Sequence, residues 1–170
     1  MKIEIKNLDS VIKKIEKYRD TLDSRFHKFL EELGRLGVQT AGVRFAQATY
    51  DGDNDVTVSD PIWIDEKSLI IEATGSTVWF IEFGTGIVYA DDHPKANEMG
   101  AVRGAYGKGR GRRTTWGYYG TPGSNGQAIK STDNGDLILT HGNPSNKVMY
   151  ETGKEMRKAI LETAKRVFKE

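Results

Sequence analysis

The stretch that decides the fold is Val78-Trp79-Phe80-Ile81-Glu82-Phe83-Gly84-Thr85-Gly86. It is the most apolar short run in the sequence, and its one ionisable side chain is Glu82. We expect this run to form a structural hub in the core, as a strand or as a short buried helix, because its length fits both. Gly84 and Gly86 allow the backbone to turn sharply out of that core.

A carboxylate in such an apolar setting must be paired, hydrogen-bonded or protonated. We expect Glu82 to accept hydrogen bonds from backbone N–H groups of the Gly84-Thr85-Gly86 turn. The catalytic alternative is a hydrolase that uses Glu82 with Asp91 or Asp92. That alternative is weak, because no partner carboxylate or histidine lies near Glu82 in sequence. We therefore predict that the protein is not an enzyme and assign no catalytic residue.

The length, net charge and cysteine content of the chain exclude several classes of function. A chain of 170 residues is long enough for one domain with a real core, and we predict a single domain over 1–170. A net charge of +1 gives no global attraction to nucleic acid or to an acidic membrane. The lack of cysteine excludes disulfides and thiolate metal sites. No stretch resembles a signal peptide or a membrane span, so we expect a soluble protein made in the cytoplasm.

Residues 8–48 carry the pattern of a long helix. Apolar residues recur three, four or seven positions apart, which places them on one stripe: Leu8, Ile12, Ile15, Leu22, Phe26, Phe29, Leu33 and Leu36. Glycines interrupt the pattern, so we expect the helix to bend or break near 19–21 or at Gly34. The stripe would pack against the chain's own sheet or, alternatively, against a neighbouring copy.

The rest of the chain divides into three parts. Residues 56–86 predict a hairpin followed by the apolar hub. Regular patterning is lost over 87–136, which predicts a long loop rich in glycine and arginine. Residues 137–170 predict a short strand and an amphipathic closing helix, with Pro144 at its first position. The fold class is therefore α+β, with a long N-terminal helix and a C-terminal helix packed on a small, mainly antiparallel sheet.

Within the loop, residues 104–119 combine cations on glycine spacers with aromatic residues. The contact candidates are Lys108, Arg110, Arg112, Arg113, Trp116, Tyr118 and Tyr119. Such residues can follow a phosphate backbone and stack on bases, which makes a small nucleic-acid-binding module one alternative. The other is a solvated loop or one that orders against an acidic protein surface. The glycines do not have the spacing of a phosphate-binding loop, so we expect no nucleotide cofactor.

Two acidic segments could in principle bind a metal ion, but the spacing of their residues does not fit a metal site. Residues 51–55 begin like a calcium loop, but Val56 stands where that loop needs glycine and Ile62 where it needs a bidentate glutamate. Asp91, Asp92 and His93 precede a proline, and no two histidines of the chain have ligand spacing. We read both segments as turns and predict no metal.

The order of these parts resembles a family of minor structural proteins of long-tailed bacteriophages and prophages, the tail-completion or head–tail joining proteins. The most specific segment is Phe80-Ile81-Glu82-Phe83-Gly84-Thr85-Gly86, with His93-Pro94 a short distance on. The second runs from Gly142-Asn143-Pro144 to Met149-Tyr150. The resemblance covers nearly the whole chain in order. One departure is that the family often opens its last helix with a Pro-Phe pair, whereas Ser145 follows Pro144 here.

The resemblance implies a structural protein of the virion neck, made in the cytoplasm of the bacterial host. Copies would form a sixfold ring at the top of the tail tube. One side of the ring would contact the tube protein and the other the head-connector proteins. The basic loop would reach either a neighbouring subunit or DNA in the central channel. Neither a cofactor nor a membrane is implied.

Overall fold

A computed structural model describes residues 7–86, 92–102, 105, 113–123 and 127–169. These residues form three helices and seven short strands, in the order α1 (Leu8–Ala46), β1 (Thr57–Val58), β2 (Ile62–Asp65), β3 (Ser68–Ile70), β4 (Ala73–Thr74), α2 (Val78–Phe83), β5 (Trp116–Tyr119), β6 (Gln127–Thr132), β7 (Gly135–Thr140) and α3 (Val148–Phe168). The predicted α+β class, with long helices near both ends of the sequence, is confirmed.

The strands form three small antiparallel sheets instead of one. β1 pairs with β4 and β2 pairs with β3, which makes a hairpin divided into two ladders. The division falls at Pro61, which has no N–H to donate to a ladder. In the third sheet β7 lies between β5 and β6. The predicted hairpin is confirmed, and the single sheet is replaced by separate short ones.

The prediction of a loop throughout 87–136 is wrong at its C-terminal end. β5 and β6 lie inside that range, and β7 begins in it. Gly117 interrupts the alternation of β5, which hid that strand from the sequence pattern. β6 is exposed along nearly its whole length, so its residues show little apolar alternation. Before β5, residues 87–91, 103–104 and 106–112 of this range lie outside the described residues.

α1 runs unbroken, so no break occurs near 19–21 or at Gly34. Gly34 and Gly37 lie on the buried face of the helix. A Cβ on Gly37 would overlap Ile71 Cδ1 and lie 2.7 Å from Met156 Sδ. These glycines therefore let the hairpin and α3 pack closely against α1. That packing outweighs a propensity penalty of about 1 kcal/mol per glycine.

α3 begins at Val148, so the prediction of Pro144 at its first position is wrong. Pro144 lies in the preceding loop. Lys147, the residue before the helix, has a φ of 54° and makes no side-chain capping bond. The first turn of α3 is capped by a residue distant in sequence, described below.

The hydrophobic core lies where the three helices meet. Ala41 and Phe45 of α1 cluster there with Ile81 of α2 and Val148 of α3. The run 78–83 forms a short helix, and its residues 81–83 are buried. Trp79 lies at the edge of this hub, 45% exposed, with its ring 5.1 Å from that of Phe83.

Candidate functional site

The two segments that carry the resemblance meet in space, in a region we call the joint (residues 80–86 and 142–150). The Thr85 N–H donates to the Asn143 carbonyl oxygen at 2.8 Å, and the Asn143 N–H donates to Thr85 Oγ1 at 2.9 Å. The Asn146 N–H donates to the Ile81 carbonyl oxygen at 2.9 Å. Segments far apart in sequence therefore form one hydrogen-bonded unit.

Two glycines allow the joint to close. Gly84 and Gly142 have φ values of 80° and 99°, in the left-handed region that glycine adopts without strain. A Cβ on Gly84 would lie 2.7 Å from the Asn143 carbonyl oxygen. A side chain at this position would therefore push the two segments apart.

Glu82 is the cap of α3. Its Oε2 accepts from the Met149 N–H at 2.8 Å, and its Oε1 accepts from the Tyr150 N–H at 3.0 Å. These N–H groups belong to the first turn of the helix, where no carbonyl of the same helix is available. The negative carboxylate also interacts favourably with the positive end of the helix dipole. We expected Glu82 to accept backbone N–H groups, and it does, but from α3 and not from the Gly84-Thr85-Gly86 turn.

His93 completes the buried network. Its Nδ1 accepts from the Lys95 N–H at 3.0 Å, so the ring proton is on Nε2, which lies 3.0 Å from Glu82 Oε1 and donates to it. The ring lies between Phe83 and Tyr150, at centroid distances of 4.4 and 5.6 Å. The partner that the sequence around Glu82 did not offer is thus a histidine 11 positions further along the chain. The resemblance motif contained both residues, but nothing in their spacing indicated a contact.

The Glu82–His93 pair has the composition of an acid–base dyad, but its geometry suits a structural role. The side chains of His93 and Glu82 are only 3% and 7% exposed. The carboxylate accepts three hydrogen bonds, and both ring nitrogens of His93 are engaged. A substrate therefore has no open position beside either group.

A second polar network ties the loop after α1 to the joint. The Asp51 N–H donates to Asn143 Oδ1 at 2.7 Å, and the Thr140 hydroxyl donates to Asp51 Oδ2. Close by, the Tyr118 hydroxyl donates to the Thr121 carbonyl oxygen at 2.8 Å. Burial, followed by the charge of Asp51, raises the pKa of Tyr118 to about 12.

The acidic segment 51–55 is used for turns. Asp55 accepts a hydrogen bond from the Thr77 hydroxyl at 2.5 Å and from the backbone N–H groups of Ser76 and Thr77 at 2.7 and 3.0 Å. These bonds, the one from the Thr77 hydroxyl first, hold the pKa of Asp55 well below its usual range. Among the residues with described positions, no three acidic or histidine side chains cluster as metal ligands would.

The predicted contact residues of the loop are distributed unevenly. Lys108, Arg110 and Arg112 lie outside the described residues. Arg113 is exposed. Of the three aromatic candidates, Trp116 packs against the joint, where a Cβ on Gly86 would lie 2.8 Å from its ring; Tyr118 is half-buried, and Tyr119 is 56% exposed.

The first half of α1 is the second candidate surface, and we call residues 8–24 the arm. Its apolar side chains are between 39% and 62% exposed: Leu8, Val11, Ile12, Ile15, Tyr18 and Leu22. A groove of about 780 Å³ lies where the arm joins the body, lined by α1, the β2–β3 turn and Phe168. Burial within α1 begins at Leu33.

Comparison with protein-family models, curated proteins and solved structures gives no match. In the portion of the chain that the structure describes, none of the helices has the length and apolar character needed to cross a membrane.

Proposed function

We propose that this protein is a structural subunit of the neck of a long-tailed phage, where copies assemble into a ring during tail completion and head–tail joining. The observation that carries the proposal is the exposed apolar stripe of the arm. An assembly subunit needs such a surface, because apolar area left in water on one copy is buried when copies associate.

The joint supports the same proposal. The segments Phe80–Gly86 and Gly142–Tyr150, on which the resemblance to tail-completion proteins rests, form one hydrogen-bonded unit. Its carboxylate and imidazole are enclosed, so they stabilise the body and are not presented to a substrate. A rigid body with an uncovered helical stripe is what a structural subunit requires.

The partners follow from the resemblance. We propose a sixfold ring of this chain in the virion neck, with the tail tube protein on one side and head-connector proteins on the other. The basic residues of the loop would contact a neighbouring subunit or DNA in the channel.

Electron microscopy of lysates tests this proposal. In the parent phage or prophage, the gene is interrupted, and a control strain carries an intact copy in trans. We expect filled heads beside separate tails, or tails of abnormal length, with joined particles restored in the control. Normal, infectious, fully joined particles from the interrupted strain would overturn the proposal.

A nucleic-acid-binding module is the alternative function, favoured by exposed Arg113 and Tyr119. The partial burial of Trp116, whose ring edge lies against Gly86 and Gly142, weakens it, because stacking on bases needs an accessible aromatic ring. Steeply salt-dependent DNA binding by the isolated protein would favour the alternative. That binding should disappear when the cations at 108, 110, 112 and 113 are changed to glutamine.

A further inference from the structure

The tip of the β6–β7 hairpin carries an asparagine that is followed by a glycine. The two strands pair as far as Thr132 and Gly135, and the residues between them, Asp133 and Asn134, make the turn. Both Asn134 and Gly135 are exposed. This Asn-Gly pair therefore lies in water at the start of β7, whereas the joint follows the other end of that strand.

Asparagine is a chemically labile residue, because the backbone nitrogen of the next residue can attack its side chain. In such an attack the Gly135 nitrogen forms a bond to Asn134 Cγ, and the bond from Cγ to the side-chain nitrogen breaks. Ammonia leaves with the proton that the backbone nitrogen loses. Water, the only co-reactant, then opens the succinimide ring at either carbonyl carbon and yields aspartate or isoaspartate. Glycine favours this reaction because it has no Cβ to crowd its nitrogen and because its backbone turns freely.

Three other asparagines are held by hydrogen bonds at both ends of the carboxamide. Asn54 Nδ2 donates to a backbone carbonyl oxygen at 2.7 Å, and its Oδ1 accepts from a backbone N–H at 3.1 Å. Asn143 and Asn146 are held in the same way within the joint. Asn143 also precedes Pro144, whose nitrogen has no proton to lose.

The carboxamide of Asn134 is not held. Among the residues whose positions the structure gives, none bonds to this side chain, and only the Asn134 backbone N–H is engaged, with Thr132 Oγ1 at 3.2 Å. The pair of Thr132 with Gly135 is the last of the β6–β7 ladder. A terminal pair opens more readily than an inner one, so the Gly135 nitrogen comes within reach of the side chain.

We propose that Asn134 is a site of spontaneous deamidation, which converts it through a succinimide into isoaspartate and aspartate as the protein ages. Isoaspartate routes the backbone through the former side chain and lengthens the turn by one methylene group. Either product adds a negative charge between Asp133 and Asp136. The inference goes beyond the proposed neck function and does not depend on it.

The structural consequence is a looser end of the hairpin. The Ser131 hydroxyl donates to Asp136 Oδ1 at 2.5 Å, and the Thr132 hydroxyl donates to the Gly135 carbonyl oxygen at 2.7 Å. Both bonds cross from one strand to the other beside the turn. A longer turn changes the distances that these bonds span, so it weakens them.

Peptide mapping by mass spectrometry of the purified full-length protein tests the proposal. Wild type and Asn134→Gln are incubated side by side at pH 7 and pH 9. The glutamine variant is a matched control, because it keeps the amide but would have to close a larger ring, which is much slower. A second Asn-Gly pair, Asn125-Gly126, lies outside the described residues. Trypsin cleaves after Lys130, between the two pairs, so each is measured in its own peptide.

We expect Asn134 to be converted several-fold faster than Asn54, with isoaspartate exceeding aspartate, and the glutamine variant to stay intact at this position. Conversion should be faster at pH 9, because the backbone nitrogen attacks after losing its proton. Aspartate without isoaspartate would contradict the succinimide route, since direct hydrolysis of the carboxamide gives aspartate alone. Conversion of Asn134 no faster than that of Asn54 would overturn the proposal.

Asn134→Asp separates the added charge from the longer backbone. Hydrogen–deuterium exchange compares this variant with fresh and aged wild type. We expect the amides beside the turn to exchange several-fold faster in aged wild type than in fresh protein, and the aspartate variant to resemble the fresh protein. Equal exchange in aged wild type and Asn134→Asp would contradict the proposed effect of the longer turn.

Discussion

The two halves of α1 carry the same apolar period and have opposite surroundings. From Leu33 to Phe45 the stripe is buried in the body, whereas from Leu8 to Leu22 it faces solvent. The buried half contains small residues, Gly34, Gly37 and Ala41, which let other elements approach the helix axis. The stripe of the arm has large apolar side chains instead. Periodicity is the same in the buried and the exposed half, so it does not indicate which half is buried, whereas residue size along the stripe differs between them.

The largest expected effect comes from the buried half. Phe45→Ala should lower the free energy of unfolding by about 3–5 kcal/mol, because it leaves a cavity where α1 meets α2 and α3. Urea denaturation followed by circular dichroism measures this change. A loss below about 1 kcal/mol would mean that the core does not depend on this ring.

The joint gives the next largest effect. Glu82→Gln should lower the free energy of unfolding by about 1.5–3 kcal/mol, because an NH₂ group replaces a charged acceptor of N–H donors. Glu16→Gln, on the exposed arm, is the matched control and should change the stability of the monomer little. Equal stabilities of the two variants would show that Glu82 does not cap α3.

A smaller effect appears at high pH. The pKa of Tyr118 is raised from 10.0 to about 12, so the folded state holds this proton more tightly than the unfolded chain. Its contribution to stability is therefore complete below pH 10 and is lost as the pH rises toward 12. Comparing unfolding of wild type and Tyr118→Phe from pH 8 to 12 tests this. A stability difference that is independent of pH would contradict the raised pKa.

The smallest effect on the monomer is expected in the arm. Ile15→Ala should change the free energy of unfolding of the dilute protein by about 0.5 kcal/mol or less, because Ile15 is 62% exposed. Parallel denaturation of Ile15→Ala and Phe45→Ala at low concentration measures the contrast directly. A large loss in the Ile15 variant would show that the arm packs on the body.

Much of the architecture followed from local pattern. Apolar periodicity predicted α1 almost to its last residue, the hairpin around residues 57–74, the last strand and the closing helix. The start of α3 did not follow, because its cap, Glu82, lies 67 positions from Met149. The residue before the helix, Lys147, is not a typical N-cap residue, so the local sequence does not indicate where α3 begins.

The candidate site was predictable in part. The apolar run around Glu82 predicts that this carboxylate is hydrogen-bonded. Its contact with His93 depends instead on the tertiary fold, which local sequence does not indicate. The sequence pattern also does not predict that the arm is exposed, because its apolar stripe continues the period of the buried half.

Hydrogen–deuterium exchange of the whole protein over a range of concentrations tests the central claim most directly. We predict that amides of residues 33–46 remain protected at every concentration. Amides of residues 8–24 should exchange rapidly in dilute solution and become protected as the concentration rises. Equal protection of both halves in dilute protein, or an arm insensitive to concentration, would contradict the account.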